Sequence, residues 1–205
     1  MRIEELKPSK RIAGRWLATL EDGSILRVEE GEVIDFALCA GKELTDSEAV
    51  QLLAAARQRQ LKEKVIALLA SKPISRKELS RKLADWDAKP DESEAICNRM
   101  EELGFLNDAD YALRVVRHYS AKGYGERKLR DELYRRGVPR ELWTDALGEA
   151  DDPAAAIDAF LRKHLPNGAC DRAELKKTSD ALMRRGYRWE DISEALHRLD
   201  ISTDD

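Results

Sequence analysis

Histidine, cysteine and carboxylate are the side chains most often recruited for catalysis or metal binding, and this sequence spaces them without pattern. His118, His164 and His197 stand singly, with no HExxH or His-x-His spacing, so packing or surface roles are expected of them rather than ligation. Cys39, Cys97 and Cys170 are odd in number and far apart, which leaves neither a disulfide framework nor a Cys-x-x-Cys site. Cys97 falls at an inward helical position and is expected to be buried as a small apolar residue. Gly123-Tyr124-Gly125 has too few glycines for a phosphate loop, and no strand precedes it. Carboxylates three apart arise by chance in a helix-rich acidic chain. No catalytic residue, no metal ligand and no cofactor is assigned, and the chain is not expected to be an enzyme.

The chemistry that does stand out is cationic. Of 205 residues, 36 are Lys or Arg and 40 are Asp or Glu, for a formal net charge of −4. Residues 110–140 nevertheless carry nine bases against four acids, and residues 141–152 hold five acids and no base. Within the island, Arg127, Arg130, Asp131 and Tyr134 recur at i, i+3, i+4 and i+7, and Lys128 and Arg135 lie one heptad apart. Such spacing places each set on one flank of a helix whose inward stripe is Leu129 and Leu133. Arginine forks suit carboxylate or phosphate. Tyr119 and Tyr124 lie close by; an aromatic at a helix end is expected to pack into the neighbouring module in preference to stacking on a base.

The elements that must position this helix are mostly helical. At the start, Arg11 to Leu20, Asp22-Gly23 and Ile25 to Val28 predict a β-hairpin. Glu32 to Ala40 reads as a short helix or strand. Thr45-Asp46-Ser47-Glu48 is a capping box followed by Ala49, Leu52, Leu53 and Ala56 as an inward stripe. Lys64 to Ala70 reads as a separate or continuing helix, and Ser75-Arg76-Lys77-Glu78 is a second capping box. No strand signal returns after Val28.

The chain also repeats itself. Leu129-x3-Leu133-Tyr134-Arg135-Arg136-Gly137 aligns with Thr178-x3-Leu182-Met183-Arg184-Arg185-Gly186 at an offset of 49, carrying Trp143 onto Ile192, Ala146 onto Ala195 and Leu147 onto Leu196. Leu79-x3-Leu83 aligns with Leu129-x3-Leu133 at an offset of 50. Arg-Arg-Gly is a sensible helix ending, because cations favour the C-terminal dipole and glycine accepts the left-handed C′ position. The expected fold is mainly α: tandem three-helix repeats forming an elongated curved body, with a small N-terminal β-hairpin segment. The expected divisions are 1–59 for the hairpin and first helices, 60–108, 109–150 and 151–205 for the three repeats, the last with a short tail.

These motifs resemble the RecX family of bacterial RecA regulators. The resemblance rests on Ser75-Arg76-x-Glu78-Leu79-x3-Leu83, on Leu103-Gly104-Phe105-Leu106-Asn107-Asp108-x2-Tyr111-Ala112, and most specifically on Lys122-Gly123-Tyr124-Gly125-x-Arg127-Lys128-Leu129-x3-Leu133-x2-Arg136-Gly137-Val138. Arg184-Arg185-Gly186-Tyr187 supplies the last copy. Glu126 stands where the family often has Pro, and Asn107 where it often has Asp. The resemblance implies a negative regulator that binds the groove of the RecA–DNA filament and limits filament extension. It would thereby depress recombinase, ATPase and coprotease activity in recombination, DNA repair and the SOS response. It also implies weak binding of single- or double-stranded DNA and action as a monomer. The contact face carried over by charge and motif is Arg114, Arg117, Lys122, Tyr124, Arg127, Lys128, Arg130, Arg135 and Arg136. The alternative reading is a helical DNA-binding transcription regulator, although the bases do not concentrate on a helix after a tight helix-turn-helix turn. No run approaches the roughly 18 apolar residues of a membrane span, and Met1 to Pro8 lacks a secretory apolar region. A cytoplasmic protein without a membrane partner is expected.

Overall fold

The computed structural model describes residues 1–165 and 169–203, and the chain divides into two compact units, Met1–Ala70 and Ser71–Asp205. The first unit opens with β1 (Ile3–Pro8), β2 (Arg15–Leu20) and β3 (Ile25–Glu29), an antiparallel sheet in that order. The expected hairpin is therefore β2–β3, closed through Asp22, whose carboxylate accepts from the Ser24 N–H at 2.9 Å, and Gly23 at φ +78°. The strand β1 is an addition that the sequence pattern hid. A register shift between Ile3 and Glu5 breaks the alternation of inward Ile3 and Leu6, leaving a charged string that lacks a period of two.

Helix α1 (Glu30–Asp35) follows β3 directly and resolves the helix-or-strand ambiguity there. Helix α2 (Asp46–Ser71) begins at the expected box: the Glu48 N–H donates to Thr45 Oγ1 at 3.2 Å and the Thr45 N–H to Glu48 Oε2 at 2.9 Å. It runs unbroken for 26 residues, so the segment ending at Ala70 is a continuation. Leu52 and Ala56 are buried with Ile3, Ala18, Leu20, Leu26 and Val28 in one core. Leu53, expected inward, is instead 46% exposed at the edge of the stripe.

The second unit is helical. It comprises α3 (Arg76–Asp85), α4 (Pro90–Glu102), α5 (Asp108–Ser120), α6 (Glu126–Arg136), α7 (Trp143–Gly148) after a 3-10 turn at Arg140–Leu142, α8 (Pro153–His164), α9 (Arg172–Arg184) and α10 (Trp189–Arg198). Helices α5, α6 and α7 share a core of Tyr111, Ala112, Val115, Val116, Leu129, Leu133, Val138 and Ala146. Helices α8, α9 and α10 share a second, in which Leu182, Ile192, Ala195 and Leu196 occupy the positions the offset assigned. Each fully buried leucine of this kind is worth about 1.5–3 kcal/mol in area removed from water. Cys97 is 2% exposed, and burial raises its thiol pKa. Two-residue strands β4 (Ala169–Cys170) and β5 (Ser202–Thr203) pair in parallel, so strand does recur after Val28; runs this short carry no periodicity to detect.

Candidate interaction face along the second helices

The second helix of each group meets its neighbour end to end. At the N-terminus of α6, Gly125 donates its N–H to the Arg185 carbonyl at 2.9 Å, and the Arg127 N–H reaches the Gly186 carbonyl at 3.1 Å. The last carbonyls behind α9 thus satisfy first-turn donors of α6, and opposite dipole ends face one another. Contact is backbone on backbone. A Cβ on Gly125 would lie 2.5 Å from the Gly186 carbonyl carbon, and Gly186 itself sits at φ +93° against the Lys128 amide.

A related junction joins α3 to α6, where the repeat offsets put Ser75 in place of Gly125 and Arg136-Gly137 in place of Arg185-Gly186. Ser75 Oγ accepts the Glu78 N–H at 3.0 Å, closing the capping box, and donates to the Arg136 carbonyl at 2.5 Å. The Lys77 stem lies over Gly137, which takes φ +71° as the C-cap of α6. In both copies the final arginine stacks on an aromatic from the first helix of its own group. Arg136 lies 6.0 Å from the Tyr111 ring centroid and Arg185 lies 5.0 Å from that of Phe160.

The nine residues of the expected face divide by environment. Arg136 is committed to the interior: it donates to the Tyr111 hydroxyl at 2.7 Å and the Tyr119 hydroxyl at 3.3 Å, and lies 3.7 Å from Glu132. Tyr111 in turn donates to Glu78 at 2.8 Å. Burial first, then this bond to Glu78, pushes the Tyr111 pKa up to about 12. Glu132, 4% exposed, collects Lys128 at 3.7 Å and Arg135 as well as Arg136. Burial alone would raise its carboxyl pKa, but the hydrogen bond and charge of Arg135, with help from Lys128, hold it below the ordinary glutamate value.

Tyr124 is half-buried, 5.9 Å from the Tyr119 ring and 5.9 Å from the Arg185 guanidinium. Both tyrosines are thus used in packing. Arg114 pairs with Asp110 at 2.8 Å, Arg117 with Glu149 at 2.7 Å and Arg130 with Glu126 at 2.6 Å, all on the surface, where such pairs contribute little and remain free to exchange. Glu126 also holds Arg188 at 2.7 Å, bracing α6 against the third group. Lys122 lies 5.6 Å from the Tyr119 ring. Arg127 is exposed and has no ion-pair partner among the described residues.

Arg127 and Lys128 line an open groove between α6 and α9 with Asp131, Asp180, Met183 and Arg184. Arg184 was not among the expected contact residues, and it too is exposed without an ion pair among the described residues. The repeat offset carries the signal that finds it, since Arg184 is the counterpart of Arg135. Lys77 and Arg81 hold the positions of Arg127 and Asp131 one repeat earlier and are likewise exposed. Tyr134 and Met183, also equivalent, are 69% and 40% exposed. Among the described residues no group of three or more His, Cys, Asp or Glu is arranged to hold a metal, and no helix is long and apolar enough to cross a membrane.

A family model for the second three-helix domain of RecX matches residues 107–147. The chain is 34% identical over 141 residues to the regulatory protein RecX of Xanthomonas axonopodis pv. citri (strain 306), covering 68% of this chain and 86% of that one. It is 32% identical over 148 residues to the RecX of Leptothrix cholodnii, covering 72% and 94%. A crystal structure of regulatory protein RecX superposes with a TM-score of 0.69 at 21% identity over 96% of this chain and 98% of the other. RecX from Lactobacillus salivarius does so with a TM-score of 0.66 at 22% identity over 72% and 99%. With its junction glycines, its buried leucine pairs and the matched middle domain on one chain, this protein belongs to the RecX family of regulatory proteins.

Proposed function

We propose that this regulatory protein is a negative regulator of RecA that binds along the groove of the RecA–DNA filament and limits its extension, lowering recombinase, ATPase and coprotease activity. The observation that carries the reading is the recurrence of one junction, α3 on α6 and α6 on α9, with an exposed cation at the same helical position in each copy: Lys77, Arg127 and Lys176. A surface with a built-in repeat suits a partner that repeats. Hydrogen bonds onto the last carbonyls of the neighbouring helix, from backbone N–H groups at α6–α9 and from Ser75 Oγ at α3–α6, hold the register, so successive cation sets are presented together and not as independent modules. The expected divisions at 60–108, 109–150 and 151–205 are part of this proposal, each supplying one set of second-helix side chains. Arg114, Arg117, Lys122, Arg130 and Arg135 complete the contact face as exposed cations, and the partly buried Lys128, Arg136 and Tyr124 support it.

The test is ATP hydrolysis by RecA on single-stranded DNA with this chain added at stoichiometric ratios, before and after filament assembly. Suppression is expected for the native sequence. Relief is expected for R127E/R184E, whose side chains have no ion pairs to break among the described residues. Unchanged hydrolysis with the native chain refutes the function; undiminished inhibition by R127E/R184E refutes the face.

A further inference from the structure

The N-terminal unit carries a second cationic surface that its net charge conceals. Residues 1–59 hold more acids than bases, yet one concave region of about 630 Å³ is walled by Lys7, Lys10, Arg11, Arg15 and Arg27 with no carboxylate in its lining. The sheet register explains how they gather. Lys7 of β1 pairs with Leu17 of β2, and Leu17 pairs with Arg27 of β3, so the three side chains form one row across the sheet. The neighbouring rows place Ala18, Leu26 and Val28 in the core, which assigns the Lys7–Leu17–Arg27 row to the opposite face.

The β1–β2 connection brings the other cations to the end of that row. Four of its backbone N–H groups bond within it: those of Arg11 and Ile12 donate to Ser9 Oγ at 3.3 and 3.4 Å, Ser9 N–H to the Arg15 carbonyl at 2.8 Å, and Arg15 N–H to the Ile12 carbonyl at 3.4 Å. Lys7 is neutralised by Glu5 at 2.8 Å, and Arg15 by Glu29 at 3.6 Å and by Glu63. Lys10, Arg11 and Arg27 are exposed and have no ion-pair partner among the described residues. Arg15 Nε is buried without an acceptor.

We propose that this cradle binds the phosphate backbone of a nucleic-acid strand, as a site separate from the second-helix face. Three cations are left unmatched over an apolar floor formed by Leu17 and Ile12, which fits alternating phosphate and sugar. The arginine forks of Arg11 and Arg27 match phosphate oxygens. An acidic peptide would seek main-chain partners as well, and the Ser9, Arg11, Ile12 and Arg15 N–H groups of the loop are already used.

The experiment measures binding of the full chain to a fluorescent 30-nucleotide single strand of mixed sequence and to its duplex, by anisotropy over a range of salt. The variants are K10A/R11A/R27A, the charge-conserving K10R/R11K/R27K, and each combined with R127E/R184E. Loss of three phosphate contacts is expected to make the log–log salt slope shallower by about 2 on single strands. The charge-conserving variant should restore it, and the decrement should be the same in the R127E/R184E background. The duplex arm decides which strand form the cradle prefers. A slope unmoved by the triple alanine variant overturns the proposal. So does equal competition by polyglutamate of matched charge, which would assign the cradle to an acidic protein instead. Circular dichroism confirms folding of each variant, and RecA inhibition is read separately, so the two proposals fail independently.

Discussion

Placing a single methyl group at Gly125 tests whether the end-to-end junction between α6 and α9 holds the second unit together. The backbone there, at φ −81° and ψ 171°, is one that alanine adopts without strain. The perturbation is therefore steric. The added Cβ would meet the Gly186 carbonyl carbon and oxygen at 2.5 Å and the Tyr187 nitrogen at 2.6 Å, against 3.4 Å or more for ordinary contact. The atoms it meets are backbone, so the helices must part by about 0.9 Å, the difference between those distances. Separation on that scale takes the Gly125–Arg185 and Arg127–Gly186 hydrogen bonds, 2.9 and 3.1 Å long, to the edge of useful length. At about 0.5–1.5 kcal/mol each, the expected loss is about 1–3 kcal/mol. For a chain of this size that lowers the Tm by about 3–10 °C.

Alanine is also a poorer N-cap than glycine, so Gly125→Ser is measured beside it. Serine is a good cap but carries the same Cβ, and it should be destabilised nearly as much. Gly148→Ala is the control, because nothing lies within 4 Å of its added Cβ. It should match the native chain or gain a few tenths of a kcal/mol. Urea melts and differential scanning calorimetry read all three. If Gly125→Ser is as stable as the native sequence, capping and not close approach governs the position, and the reasoning about the junction is wrong.

Replacing Glu132 by Ala strips the shared carboxylate from Lys128, Arg135 and Arg136 and should cost about 2 kcal/mol in urea unfolding, less than a fully buried pair because Lys128 and Arg135 reach solvent. The lowered pKa of Glu132 also sets a pH signature. Its stabilisation is present above the ordinary glutamate range and is lost as pH falls through the depressed value, so Glu132→Gln should flatten the decline in Tm below about pH 4.5. Tyr111→Phe breaks the Arg136–Tyr111–Glu78 chain. Stability from Tyr111 is complete below pH 10 and lost as pH rises through about 12. Of five tyrosines, one fewer should titrate late by absorbance at 295 nm in the variant; an unchanged late fraction would refute the assignment.

Much of the architecture was legible because it is written locally. The boxes at Thr45 and Ser75, the leucines at i and i+4 and the Arg-Arg-Gly endings each specify a helix, its start or its stop within a few residues. Repetition of those signals at 49–50 residues gave the groups and their cores. What local pattern missed was irregular: the shifted β1 strand, the two-residue strands β4 and β5, and Leu53 at the margin of its stripe.

For the candidate face, the sequence determined which side chains carry positive charge and that they share a helix. Only the tertiary structure decided which of them are available. Arg127 and Arg136 are indistinguishable as charges on one helix, yet one is open to solvent and the other is bound between two tyrosines and Glu132. The N-terminal cradle makes the same point, since Lys7, Arg11 and Arg27 belong to an acidic segment until the strand register lines up Lys7 with Arg27 and the β1–β2 connection brings Arg11 beside them. The physical reason is range. Helix formation and capping depend on neighbours a turn away, whereas the availability of a cation depends on carboxylates and carbonyls brought near by folding, as Glu149 is to Arg117 across 32 residues and the Arg185 carbonyl is to Gly125 across 60.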